Sequence, residues 1–391
     1  MRDIRKSFVS IEELPFFLAW GLFLSTMVLS LGIFYVNNSF LATLFKGIRY
    51  VAYAICLFRI SKCVVPQKHI LPLALLAGAF LLSGVATQNL TFPLYTLIFL
   101  AAIEVDGKLL VKVTVYIQGI LLFLIVALSQ CHIIEDYIFD ITTRMRHGLG
   151  FSWTTTGPIL FFYFCMGLIY LKEEELTIRH YAFLEIINLW LFHKTDSKMA
   201  FLLLSAVLLF FMLESLNHKK WSILSKFNKL YIVSPFLMFG FTLLIIKQYV
   251  RSNPTWTAIN QIMSNRLTLA QDAFKTYGLK LLGQKIHWIG YDYSTLYRLP
   301  ETYNYVDSSY LQIGFNNGVL FLLAIMLLYS YGIYKAIKNN DYYLVMLYLI
   351  ILLLSLTEPR LLNLAYNPFP LLGLANINNR EHADSVDNSS A

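Results

Sequence analysis

Apolar runs long enough to cross about 30 Å of hydrocarbon as helices recur from near the start of the chain to near its end. About twelve can be read, over 15–36, 41–58, 70–86, 90–104, 109–129, 153–171, 180–192, 197–215, 230–248, 310–333, 342–357 and 361–377. The fourth, seventh and twelfth are the short ones. Such a pattern rules out the string of soluble domains that 391 residues would otherwise suggest. Charged residues are 14% of the chain and apolar residues 57%, so there is too little charge to face water all round and the bilayer must be part of the solvent. The expectation is an all-α polytopic membrane protein forming one membrane domain over 1–391, with a long loop over 249–309 and a polar tail over 378–391.

The first run follows Arg2, Arg5 and Lys6, is too long for a signal-peptide core and ends in Phe34-Tyr35-Val36-Asn37-Asn38 without a small-residue cleavage site. It reads as a retained span. If the N-terminus is cytoplasmic, the short loops on that side carry Arg59, Lys62, Lys108, Lys112, Lys172, Arg179, Lys219 and Lys220. The first two short loops on the other side carry no charge. The positive-inside rule therefore puts both termini in the cytoplasm. Much of the net charge of +8 is then orientation and lipid contact, and it points to no nucleic-acid partner. Cys56, Cys63, Cys131 and Cys165 suggest no disulfide framework. No metal-binding or phosphate-loop motif occurs, so ATP hydrolysis is not expected.

Polarity concentrates on the outer side. The loop 130–152 ends in Arg144-Met145-Arg146-His147 beside Gly148 and Gly150. Paired guanidinium groups suit a pyrophosphate or sugar phosphate; a solvated basic loop is the plainer reading. The turn Lys194-Thr195-Asp196-Ser197-Lys198 offers Asp196 or Ser197 as a helix cap. It also places Lys198 where the helix dipole disfavours a cation unless an anion is near. Within 249–309, the spacing of Ile259, Ile262, Met263, Arg266, Ala270, Ala273, Phe274 and Tyr277, stopped by Gly278, predicts one amphipathic helix lying on the membrane surface. That helix either plugs the bundle or takes part in a site. Asp307, at the start of the tenth span, is a cap or a general base. Glu358 and Arg360 share an outer turn and could simply neutralise each other. Lys46, Arg49 and Glu185 lie within apolar runs, where a charge is costly and marks function by default.

These residues, in order, resemble a family. Arg146-x-x-x-Gly150-Phe151, Thr195-x-Ser197-Lys198, Arg266 with Leu282-Gly283, and Asp307-x-Ser309-Tyr310-Leu311 with Asn317-Gly318-Val319-Leu320 are similar to the ordered elements of the Wzy-type polysaccharide repeat-unit polymerases and the related O-antigen ligases. The motifs cover about 130–330, and the likeness in architecture covers the whole chain. Three departures stand out. Trp153-Thr154-Thr155 replaces the family's Pro-Asn, Ser197-Lys198 its Ser-Arg, and Asp307 stands where ligases commonly carry His. The last of these favours the polymerase branch.

The resemblance implies a GT-C-like membrane fold in the bacterial cytoplasmic membrane and a metal-independent, inverting glycosyl transfer on the outer face, with no cofactor. Donor and acceptor would be polyprenyl-pyrophosphate-linked oligosaccharides, and a chain-length regulator and a flippase of the same pathway would be partners. Under it, Arg144, Arg146, Arg266 and Lys198 meet the leaving pyrophosphate, with Ser197, Arg49 and Arg360 as further binding candidates. Asp307, then His147 and Glu358, are the candidate bases. The main rival is a flippase or other transporter of lipid-linked oligosaccharides. Against it, no repeat relates 1–195 to 196–391, and the polar groups cluster at span mouths, not at the midplane. A membrane acyltransferase is a weaker rival, since no His-Asp pair falls within a span.

Overall fold

A computed structural model describes residues 10–63, 67–139, 145–216, 224–290 and 303–377. Arg144, the N-terminal basic residues and the tail 378–391 lie outside the described residues. The chain is helical almost throughout: α1 (Leu14–Leu29), α2 (Ile33–Val36), α3 (Ser39–Lys62), α4 (Gln67–Thr87), α5 (Thr91–Ala101) and α6 (Gly107–Gln130) precede a two-stranded hairpin. That hairpin pairs β1 (Ile138–Phe139) antiparallel with β2 (Arg146–His147). Then follow α7 (Thr156–Lys172), α8 (Ile178–Thr195), α9 (Lys198–Leu216), α10 (Asn228–Gln248), α11 (Pro254–Ile262), α12 (Arg266–Tyr277), α13 (Ser309–Asn316), α14 (Val319–Lys338), α15 (Tyr342–Leu354) and α16 (Phe369–Leu372). Six helices, α3, α4, α6, α9, α10 and α14, are long and apolar enough to cross a membrane. The fold is that of an all-α membrane protein.

The helices divide by what they face. Helix α7 is buried along nearly its whole length, from Thr156 to Tyr170, and is the centre of the bundle. Helices α3, α4, α9 and α10 expose Phe58, Leu75, Leu202 and Leu237 on their outer sides, as lipid-facing helices do. Side-chain pairs join the inner helices, as where Trp20 Nε1 donates to Thr114 Oγ1 over 2.9 Å between α1 and α6. At the end of the bundle opposite the hairpin, the buried Arg59 donates to the carbonyls of Ala101 and of Ile103, the latter over 3.0 Å. It thereby serves the carbonyls that α5 leaves open at its C-terminus. Glu185, within α8, accepts from Ser205 Oγ over 2.6 Å and from Asn188 over 3.2 Å, so polar groups of α8 and α9 meet this carboxyl.

Three expected helices turn out differently. The expected span 361–377 is no span-length helix: between Ser355 and Ile377 the only described helical piece is the single turn α16, yet the segment is almost wholly buried. Its apolar content misleads because Pro359, Pro368 and Pro370 remove backbone donors and bar a continuous helix. Irregular backbone at membrane depth is tolerable only inside protein and only if its polar groups are met. Here Gln118 Nε2 donates to the carbonyls of Ala365 and Tyr366 at 2.9 and 2.8 Å. Asn367 Nδ2 reaches Leu361 O and Tyr329 Oη, and Tyr348 Oη donates to Phe369 O over 3.1 Å. The segment ends beside α6, where Gly107 N donates to Asn376 O over 2.8 Å.

The expected span 310–333 is broken into α13 and α14 at Asn317–Gly318, where Gly318 has φ 95°. The break receives the loop after α12: Val319 N donates to Lys280 O and Gln284 N to Asn316 O, both at 2.9 Å. A Cβ on Gly283 would lie 2.4 Å from Asn316 O, and one on Gly318 would lie 2.3 Å from Gly283 N. The two glycines let two backbones touch. The amphipathic helix expected within 249–309 is likewise two helices, because Ser264 and Asn265 turn left-handed between α11 and α12. The apolar face of α12 packs inward, whereas α11 leaves Ile262 exposed. Ala270 and Ala273 pack with Ile246 of α10 and with Leu311 and Phe315 of α13. Asn260 stitches the corner, its Oδ1 accepting from Leu267 N and Thr268 N.

Replacing Gln118 by Leu leaves two buried carbonyls without a donor, and each unmet group costs about 1–3 kcal/mol. The expected outcome for Gln118→Leu is a clear drop in the thermal unfolding midpoint in detergent, larger than for Lys172→Gln in an exposed pair.

Candidate active site

The residues nominated from the sequence fall mostly at the hairpin end of the bundle. Hairpin and bundle are tied there by Ile33 N donating to Gly150 O and Ser152 N to Leu31 O. Arg146, on β2, donates from Nε to Thr195 O over 2.9 Å and lies over the Trp153 ring at 5.9 Å. It thus bridges the hairpin, the start of α7 and the α8–α9 turn. In that turn Asp196 is left-handed, with φ 45°. Ser197 starts α9 without using its side chain as a cap: the residue is buried and its Oγ has no hydrogen-bond partner. Lys198 is exposed and pairs with no carboxylate among the described residues.

On the far side of the α7 start lie two ion pairs. Arg266 opens α12, where the helix dipole opposes a cation. Its Nε donates to Asp307 Oδ2 over 2.9 Å, and both side chains are about a quarter exposed, at 21% and 26%. Asp307 therefore does not cap α13. The cap position belongs to Ser308, whose hydroxyl caps nothing either. Arg360 pairs with the Glu358 carboxylate, donates to Thr155 Oγ1 over 3.1 Å and lies 5.0 Å from the Tyr366 ring centroid. Ser309 holds this turn by donating to Glu358 O and accepting from Leu361 N. Burial pushes the Glu358 carboxyl above the usual range; Arg360 and Arg266 pull it down and Asp307 pushes it up. The two pairs therefore feel one another.

His147 belongs to a different local group. Its Nδ1 is 2.8 Å from Asp136 Oδ2, and the other Asp136 oxygen accepts from Leu149 N over 2.7 Å. A carboxylate at Nδ1 favours the proton there and leaves Nε2 as the basic nitrogen. Among the described residues, Arg49 is not brought to any other nominated residue. On α3, its guanidinium meets Met27 Sδ at 3.2 Å and Tyr35 Oη at 3.5 Å.

Several residues in this region carry no signal in the sequence. Asp136 is one acid among several in its loop. Thr154 and Ser308, like Ser197, bury hydroxyls that have no partner. Each lies next in sequence to a residue held by one of the cations: Thr154 between Trp153 and Thr155, and Ser308 after Asp307. Ser197 follows Thr195 by two positions. Buried polar atoms are almost always hydrogen-bonded; among the described residues these three lie near the arginines, while others, Ser129, Ser234 and Ser330 among them, lie elsewhere in the bundle. Among the described residues, no group of three or more His, Cys, Asp and Glu side chains converges as a metal site requires. A groove of about 400 Å³ lined by Phe123, Phe164, Leu168 and Phe183 lies at the opposite end of α7 and holds none of the nominated residues.

No protein-family model matches this chain, and no match is found among characterised proteins or solved structures.

Removing one partner of a buried ion pair strands the other's charge, at about 3–5 kcal/mol. Glu358 and Arg360 are the more buried pair, at 8% and 15% exposed. Arg360→Gln is therefore expected to lower the unfolding midpoint well beyond Arg266→Gln. Equal losses would show that burial does not separate the two pairs.

Proposed function

We propose that this protein is a polymerase that joins polyprenyl-pyrophosphate-linked oligosaccharide repeat units on the outer face of the bacterial cytoplasmic membrane. Both termini would be cytoplasmic, and the hairpin end would face outward. The observation that carries the reading is the clustering, at one end of a membrane bundle, of Arg146, Arg266 and Arg360 with the unpartnered hydroxyls of Thr154, Ser197 and Ser308. The order of motifs along the chain supports it.

The reaction needs two things of such a cluster. Charge develops on a pyrophosphate as it leaves, and fixed cations lower that barrier most where water is scarce. Arg266 uses Nε on Asp307, so its terminal nitrogens can still face an oxyanion; Lys198 is exposed at the head of α9 and can join it. The attacking hydroxyl must also lose a proton. Asp307 remains a candidate, since its Oδ1 has no hydrogen bond among the described residues. His147, oriented by Asp136, is the alternative. Glu358 is the weakest, being buried and tied to Arg360. On this reading Arg49 lies outside the reacting group.

Arg146→Ala and Arg266→Ala are expected to fold and to abolish polymer, by at least about a hundredfold in the manner of a lost transition-state donor, while single repeat units accumulate on the lipid carrier. Normal polymer from either variant would remove that residue from the mechanism. Purified protein given lipid-linked repeat units should lengthen them in the presence of EDTA; a strict requirement for an added divalent ion would overturn the metal-independent step. Units that change leaflet without lengthening would favour a transporter instead.

A further inference from the structure

Two cations remain unexplained by the site above. Lys46 and Arg49 lie a turn apart on α3, one of the membrane-length helices. Phe40 and Leu44 are exposed on one side of them along the helix and Val51 and Leu57 on the other, so both sit within an apolar, lipid-facing belt. Arg49 has five donors and finds a thioether and a phenol oxygen, both poor acceptors for a guanidinium. Lys46 has only the face of Tyr50, at 6.0 Å from its centroid. Neither has a carboxylate within ion-pair distance among the described residues. The contrast with the rest of the molecule is plain. Arg59 and Arg146 each donate to backbone oxygen, and Arg266 and Arg360 to carboxylates.

We propose that Lys46 and Arg49 form a docking site for the phosphate of a membrane lipid, set against α1 and α3 at the hairpin end and separate from the Arg266–Asp307 group. Two neighbouring cations near the end of a membrane-length helix call for an anion, and a lipid phosphate is the anion available at the edge of the hydrocarbon. Phosphate oxygens would take the free guanidinium donors of Arg49 in pairs and the ammonium of Lys46 as a point charge. Tyr35 Oη, already facing Arg49, adds a hydroxyl to the same place. Tyr50, exposed beside Lys46, is an aromatic of the kind that anchors at the membrane interface. The surrounding exposed Phe40, Leu44 and Val51 suit the lipid's hydrocarbon, which is why the phosphate is lipid-borne and not free in water. It belongs to a glycerophospholipid of the surrounding leaflet, the phosphate-bearing lipid that a lipid-facing helix meets.

The test is native mass spectrometry of the full chain in detergent with defined lipids added. Wild-type protein should retain phosphatidylglycerol at least about tenfold better than a diacylglycerol with the same chains, about the yield of one to two cations near a lipid phosphate. The double variant Lys46→Gln/Arg49→Gln should lose that preference, Arg49→Lys should keep most of it, and Arg251→Gln, in a surface pair with Asp272, should keep all of it. Substoichiometric polyprenyl phosphate is expected not to displace phosphatidylglycerol; displacement would overturn the assignment to phospholipid. The proposal is overturned if wild-type protein shows no preference for the phosphate-bearing lipid, if the double variant folds and retains it, or if millimolar inorganic phosphate displaces the lipid.

Discussion

A buried stretch of irregular backbone sets the terms for this bundle. Between Ser355 and Ile377 the chain runs through the interior with a single turn of helix. In hydrocarbon, exposed carbonyls of that kind would each cost several kcal/mol. The surrounding helices therefore have to enclose the segment and supply donors to it. That requirement accounts for Gln118 in the middle of α6, for Tyr329 on α14 and for Tyr348 on α15, polar side chains on helices otherwise suited to lipid. It also accounts for the burial of α7, the neighbour against which the segment packs. Lys335 completes the arrangement at the far end, where its ammonium meets the carbonyls of Gly373 and Ala375.

The irregular segment matters to the site because it begins there. Glu358 and Arg360 are carried on its first turns, before Pro368 and Pro370, and Ser309 pins that start to the head of α13. A regular helix over 355–377 would space Glu358 and Arg360 on different faces; the turn lets them pair and lets Arg360 reach Thr155 on the neighbouring helix. The break at Gly318 acts similarly. By admitting the loop around Gly283 it docks the segment after α12 onto α13, and the same docking holds Arg266 against Asp307. Two departures from helix thus bring together charges that lie far apart in sequence.

The membrane class is legible from the apolar runs because a helix in lipid has few alternatives, and the positions of most helices follow. What misleads is apolar content taken without its breakers. Pro359, Pro368 and Pro370 stand in or beside 361–377, as Asn317-Gly318 stands in 310–333, and a run of apolar residues hides how much each of them limits a helix. The cap expected of Asp307 fails for another reason. A cap is a local competitor for a carboxylate, and Arg266, about forty positions earlier, offers a full opposite charge in place of a backbone dipole. Long-range pairing of this kind leaves no trace in spacing. The partner of His147 shows the same limit, since nothing in the run of acids before it singles out Asp136. The clustering of Arg146, Thr195 and Ser197 is closer to legible, as each stands in a polar mouth between apolar runs.

Pairing Arg266 with a carboxylate has a consequence for the chemistry proposed here. A cation already neutralised by a carboxylate offers an incoming anion less than a bare one, so Asp307 weakens Arg266 as a pyrophosphate ligand in the ground state. The same geometry works in the opposite sense once the anion is bound. A pyrophosphate that takes the terminal nitrogens of Arg266 would compete with Asp307 for the same guanidinium. Binding the leaving group would then loosen Asp307 from Arg266 and free its carboxylate for the acceptor hydroxyl, and departure of the pyrophosphate would return Asp307 to Arg266. Glu358, already pushed up by burial and by Asp307, would feel that added charge as well, held in check by Arg360. An ion pair at the site is in this sense a resting state, and the free energy it withholds from binding is available where the reaction needs it.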